Sequence, residues 1–278
     1  MSDPMTRYLR GEPPGVVVFD AHAHMGRWTF PVFADGSSEA MVASMDRLGV
    51  DAVALTHHAC MGPSPSAGNR LAEQATEPFA GRLFLYCGFS PHYPDEGPDE
   101  LERTLTDPRY VGIKLHPATQ ETDIDDERWR PAFELAQTHA LPVLVHSWVG
   151  GGCRPKLIGK VAADYPDATV ILGHHGGGWA GVKESVAACK EHPNLVCDTC
   201  TSELTYKVVD RLVGEIGPDR LLFGSDLPFL AQDAQLGKVV CSRISDEDKA
   251  KVLGGNFLSI LRKRRGLPPV PLPMVEGS

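Results

Sequence analysis

The sequence predicts one α/β domain of the (β/α)₈ barrel class, a distorted TIM barrel, and three observations carry that prediction. Eight short apolar, β-branched runs recur along the chain, and their starts lie roughly 25 to 35 residues apart, the length of a strand, a loop and a return helix. The runs are almost continuously apolar, which suits strands buried on both faces of a parallel sheet. Amphipathic stretches with helical spacing separate them. A doubly wound sheet also alternates strand and helix, but it rarely needs eight such strands.

The elements follow in order. Met1–Gly15 is polar and rich in Pro and Gly, and is expected to be an arm across the barrel bottom. The strand runs are Val16–Asp20, Asp51–Thr56, Leu83–Gly88, Val111–Leu115, Leu141–Val145, Thr169–Leu172, Leu195–Asp198 and Leu221–Phe223. Trp129, Ala132, Phe133 and Ala136 fall at i, i+3, i+4, i+7, and Val208, Val209, Leu212, Val213 and Ile216 mark a similar helix face. Ser245 and Asp248 have capping-box spacing before Val252, Leu253, Phe257, Ile260 and Leu261, which predicts the last long helix. Lys263, Arg264 and Arg265 read as cations at that helix's C-terminus. The barrel thus spans 16–265, and the Pro-rich stretch 266–278 is expected to be a loose tail. No domain linker and no repeat beyond the βα rhythm is visible.

Composition narrows the function classes. The chain has 278 residues, 42% of them hydrophobic, ample for a buried core. Its net charge of −9 argues against a general nucleic-acid binder, which needs a basic stripe. No run approaches the roughly 18 apolar residues of a membrane span, and Met1–Arg10 has no apolar leader region. With seven Cys, an odd count, the expectation is a cytoplasmic protein with reduced thiols.

The polar residues cluster where strands end. The first run closes Asp20-Ala21-His22-Ala23-His24, and alternation puts Asp20, His22 and His24 on one face. His146 ends the fifth run, His174 and His175 follow the sixth, and Asp226 follows the eighth. A barrel builds its active site at the carboxyl ends of its strands. Four strands that bring His, His, His and Asp to one rim offer the donors preferred by zinc or another borderline divalent ion.

These residues make the chain resemble the amidohydrolase superfamily, and within it the small branch called amidohydrolase family 2. The resemblance runs from about Val16 to Leu261 and rests on Asp20-Ala-His22-Ala-His24, Gly112-Ile-Lys114-Leu-His116-Pro117, His146, Gly173-His174-His175-Gly176-Gly177, Gly224-Ser225-Asp226 and Gly254-Gly255-Asn256. It implies a distorted barrel with a mono- or binuclear metal centre. It implies that His22, His24, His146 and Asp226 hold the first metal, and that His174 either binds a second metal or polarises the substrate. Lys114 decides the nuclearity: carboxylated, it bridges two ions; as a free amine, it is a hydrogen-bonding or charge partner. The cofactor expected is one divalent ion, two if Lys114 is carboxylated, with Zn²⁺ first and Mn²⁺ as the alternative.

Other residues are weaker signals. His57, His58 and His116 end strands and can face substrate or simply line the rim. Trp148, Trp179 and Phe229 lie just past site strands, where they can wall a pocket. Arg154 follows Gly150-Gly151-Gly152 and is placed to clamp a substrate carboxylate. Cys197 and Cys200, without a second pair, read as buried thiols. Substrate selection is expected in the loops Arg27–Ser37, Ala59–Gly68 and His92–Pro98.

Three activities follow from this reading. The first is hydrolysis of a small-molecule amide, lactone or ester: a bound ion lowers the pKa of its water to about 7, Asp226 takes the proton, and His174 helps stabilise the oxyanion. The second, also present in the branch resembled, is non-oxidative decarboxylation of a carboxylated aromatic or unsaturated acid. The third is a ligand-binding barrel without catalysis. The partner expected is a small molecule, with no nucleic acid or membrane, and a homodimer is the default assembly.

Overall fold

A computed structural model describes residues 3–28, 35–62, 64–203 and 207–272. Six residues of the Arg27–Ser37 loop, Pro63 of the Ala59–Gly68 loop and the last six residues of the tail lie outside the described residues. Eight parallel strands pair in chain order: β1 (Phe19–Met25), β2 (Ala52–His57), β3 (Leu83–Gly88), β4 (Tyr110–Leu115), β5 (Pro142–His146), β6 (Thr169–Gly173), β7 (Leu195–Asp198) and β8 (Leu221–Leu222). The ring closes through Ala21 N–H donating to Phe223 O at 2.9 Å and a bridge between Ala23 and Leu227. The result is a TIM barrel.

The helices are α1 (Pro4–Leu9), α2 (Ser38–Leu48), α3 (Pro65–Thr76), α4 (Gly97–Thr104), α5 (Arg130–His139), α6 (Pro155–Ala163), α7 (Trp179–Glu191), α8 (Val208–Ile216), α9 (Gln232–Val240), α10 (Asp246–Ala250) and α11 (Asn256–Leu261). Local chemistry sets several of their ends. Ser37, Ser64 and Ser245 cap α2, α3 and α10 through their side-chain oxygens, and Gly49 ends α2 in the left-handed conformation. The predicted face of α5 is buried at Ala132, Phe133 and Ala136, and that of α8 at Val208, Val209, Leu212 and Ile216. Among the described residues, no helix is long and apolar enough to cross a membrane.

Four expectations about the ends need correction. The arm does not cross the barrel bottom: α1 lies against α9, where Tyr8 Oη donates to Asp233 O. The bottom is closed by α11, whose Phe257 packs edge-on against Phe19 at 4.9 Å. The last long helix is broken, because a π-helical turn, Lys251–Gly255, sits between α10 and α11. The tail is not wholly loose, since Val270 and Leu272 pack against the same bottom cluster. Arg265 serves a different helix from its own, donating to the Gln137 and Thr138 carbonyls at the end of α5.

Candidate metal centre

A register shift in β1 decides what faces the barrel axis. Asp20 pairs with Val53 and Ala23 with Leu55, so three steps along β1 match two along β2. The extra residue is a bulge, and it reverses the alternation. Below it, Phe19 and Ala21 join the interior apolar layer. Above it, His22 and His24 turn inward, with Nε2 atoms 3.3 Å apart. Asp20 therefore does not share their face. Its carboxylate accepts from Ser225 N–H at 2.9 Å and Gln232 Nε2 at 3.0 Å, and ties β1 to the segment after β8.

That segment delivers Asp226. Ser225 and Asp226 both donate their N–H to His22 O, at 3.2 and 2.7 Å. Asp226 Oδ1 then lies 3.4 Å from His24 Nε2 and 3.7 Å from His22 Nε2. The His22 ring occupies a slot left by two glycines. A Cβ on Gly224 would come within 2.9 Å of His22 Cβ, and one on Gly173 within 3.2 Å of His22 Cε1.

Two imidazole nitrogens and a carboxylate oxygen so close together fit a divalent cation. Burial holds both imidazoles well below their ordinary pKa, hence neutral and able to donate a lone pair. Lys114, fully buried at the end of β4, points its Nζ at His22 Nε2 from 2.9 Å. Burial lowers the Lys114 pKa, while the charge of Asp226 opposes that shift; burial also raises Asp226.

His146 and His174 form a neighbouring pair. His174 Nε2 and His146 Nδ1 are 3.1 Å apart, and His116 stacks on His146 with centroids 4.0 Å apart. His146 is thus engaged by His174 and lies outside the tight group of His22, His24 and Asp226. His22, His174 and Cys200 make a second group of converging donors, but His22 Nδ1 is taken at 2.6 Å by Asp198 Oδ2. Burial raises the Cys200 thiol well above its ordinary pKa, which keeps it protonated. Cys197 and Cys200 are both buried.

Above the donors opens a cavity of about 470 Å³, lined by His24, His116, His146, His174 and Asp226 at its base. Trp28, Met61, Phe229 and Leu230 form an apolar wall, while Trp148, Thr119, Thr201 and Ser202 complete the rim. His58 stacks on His24 at 5.1 Å and its Nδ1 bonds to Gly26 O, which places it behind that wall. His22 and Lys114 lie beneath the lining residues.

Several sequence expectations fail here. Arg154 does not line the cavity: its Nε and Nη2 donate to Glu184 Oε1 and Oε2 at 2.8 and 2.9 Å. Trp179 is 47% exposed and does not line the cavity. Neither His57, whose Nδ1 accepts from Ala59 N–H, nor any described residue of the His92–Pro98 loop lines it. The residue that sequence reasoning passed over is Asp198, the carboxylate that ends β7. Its position at a strand's carboxyl end was the available signal.

A family model described as Amidohydrolase matches residues 19–262, and the chain belongs to that family. The gamma-resorcylate decarboxylase of Polaromonas sp. strain JS666 is 24% identical, over 82% of this chain and 84% of its own length. Solved structures of similar fold include a 5-carboxyvanillate decarboxylase from Novosphingobium aromaticivorans, complexed with manganese and a nitrobenzoic acid (TM-score 0.72, 13% identity, 89% of this chain and 96% of that one). A 2,6-dihydroxybenzoate decarboxylase from Rhizobium is also similar (TM-score 0.69, 18% identity, 89% and 98% covered). These relatives overturn the hydrolysis expected from the sequence, because they are decarboxylases. They release carbon dioxide where a hydrolase would add water, and the preference for zinc loses its basis with that correction.

Proposed function

We propose that this chain is a metal-dependent, non-oxidative decarboxylase of a small aromatic or unsaturated acid. The observation that carries this reading is the composition of the cavity. Its base holds His24 and Asp226 of the donor set, its wall carries Trp28 and Phe229, and among the described residues its lining contains no Arg or Lys. A planar acid fits such a space with its ring against Trp28 and Phe229 and its carboxylate toward the base. A volume of about 470 Å³ suits one ring rather than an extended substrate. The similarity to decarboxylases of ring acids supports the same choice.

In this reading His22, His24 and Asp226 hold one divalent ion; His146, outside that group and engaged through Nδ1, would have to bring its Nε2 in as a fourth donor. Manganese is the first ion to test because a relative of the same fold holds it. When bound, the ion supplies positive charge to the substrate's carboxylate or adjacent oxygen. The remaining chemistry belongs to the chain. The bond from ring to carboxyl carbon breaks, CO₂ leaves, and the electron pair stays on the ring carbon, which takes a proton. Asp226 is the acid: Oδ1 faces the histidines, and Oδ2 is left to carry the proton. The proton consumed in each turnover comes from a solvent water; His174, paired with His146 at 3.1 Å, takes it up and passes it to Asp226. In this reading Lys114 is not carboxylated, and its Nζ beneath His22 goes with a mononuclear centre.

The test is CO₂ release by Mn²⁺-loaded protein from a panel of single-ring hydroxybenzoates. One CO₂ per decarboxylated product is expected, abolished by chelation and restored by Mn²⁺. No CO₂ from any member, in protein shown to contain metal, would remove the proposal.

A further inference from the structure

We propose that Asp198 is a positioning residue that fixes the tautomer of His22 and thereby its capacity to bind the ion. The inference rests on the reading of His22 as a metal ligand. Asp198 ends β7, is wholly buried and lies outside the cavity lining, so it touches neither substrate nor ion position. It acts through its neighbours.

The Asp198 contact assigns the His22 proton. Asp198 Oδ2 lies 2.6 Å from Nδ1, and a carboxylate oxygen accepts, so Nδ1 carries the hydrogen and Nε2 keeps its lone pair. The lone pair on Nε2 is thus aimed at the group formed with His24 and Asp226. Carboxylates on the far nitrogen of metal-binding histidines commonly play this part.

The second oxygen of Asp198 has another donor. Oδ1 accepts from the backbone N–H of His174 at 2.7 Å, and the Asp198 carbonyl lies 3.0 Å from His175 Nδ1. His174 and His175 sit in the left-handed region, at φ of 62° and 40°, a strained conformation for residues other than glycine. Asp198 therefore joins the metal-binding half of the site to the turn that presents His174.

An amide in its place cannot serve both donors. Asn has one acceptor oxygen, and its NH₂ would face either the His22 Nδ1–H or the His174 N–H. The backbone N–H cannot move its proton, whereas the imidazole can. Asp198→Asn should hence keep the His174 bond and force the His22 proton onto Nε2, where it blocks the ion.

The experiment compares wild type, Asp198→Asn and His22→Ala. Mn²⁺ affinity is measured by titration, and the histidine tautomers are read from ¹⁵N shifts of the metal-free proteins, the His22 signal being the one lost in His22→Ala. In the wild type we expect Nδ1–H on His22; in Asp198→Asn we expect Nε2–H, Mn²⁺ affinity lower by about 10- to 100-fold, and unchanged signals from the other histidines. An unchanged His22 tautomer, or wild-type affinity in Asp198→Asn, overturns the proposal. A global shift of all histidine signals also overturns it, because it marks a structural role. Wild-type protein that binds no Mn²⁺, or His22→Ala that binds it normally, instead refutes the metal-site reading beneath it.

Discussion

His22, His24 and Asp226 are the residues on which the account stands, and each makes a separable prediction. Ala at position 22 or 24 should strip most of the bound ion, measured as metal per chain, while the circular dichroism spectrum stays that of the wild type. Each substitution removes one of three converging donors, whereas the strand keeps its hydrogen bonds to its neighbours. Asp226→Asn keeps the shape but loses the charge and the proton. With metal saturating, turnover should fall by about 10² or more, the usual scale for losing a positioned acid or base. Near-normal turnover would reduce Asp226 to a ligand. The convergence of these three donors was legible in the sequence because the His-x-His alternation and the strand-end position are local signals. Arg154 misled because its Glu184 partner lies on the next helix, and a bidentate clamp on a protein carboxylate looks in sequence like one on a substrate. Asp198 was passed over because its meaning depends on His22, a strand on the far side of the chain's length.

At the scale of elements, the strand and helix rhythm was readable, and its irregularities were not. The β1 bulge reverses which residues face inward, and nothing in Asp20-Ala-His22-Ala-His24 announces it. The π-helical turn after α10 is a second case. Here Gly254 lets the turn approach β1, for a Cβ at that position would lie 2.6 Å from Val17 O. Gly254→Ala should push backbone from backbone and lower stability by roughly 1–3 kcal/mol, the range typical of overpacking, seen as a fall in denaturation midpoint. Gly214 in α8 is the contrast. It is exposed, and a Cβ there meets nothing within 4 Å, so Gly214→Ala should raise stability by about 0.5–1 kcal/mol. Equal effects at the two positions would contradict the assignment of Gly254 as a close-approach glycine.

Across the whole molecule, buried histidines dominate the response to pH. Burial lowers the pKa of His22, His24, His116, His146 and His174, and takes His175 from 6.5 to about 4. A histidine with a depressed folded pKa contributes stability that is complete above its unfolded value and is lost as pH falls toward the folded one. Each such group removes about 1.4 kcal/mol per pH unit below the unfolded value. Asp20, Asp198 and Asp226, raised by burial, work in the opposite sense, but the histidines outnumber them. The metal-free protein should therefore melt at progressively lower temperature as pH is brought from 7 to 5, and a flat or rising profile would refute that balance.

In the proposed reaction this barrel breaks a carbon–carbon bond and protonates the carbon left behind. The most direct measurement is turnover of an accepted substrate in D₂O enriched in ¹⁸O, followed by mass spectrometry of the organic product. One deuterium is expected on the carbon that carried the carboxyl group, and no ¹⁸O in that product. A product with solvent ¹⁸O and an intact carboxyl carbon would contradict it.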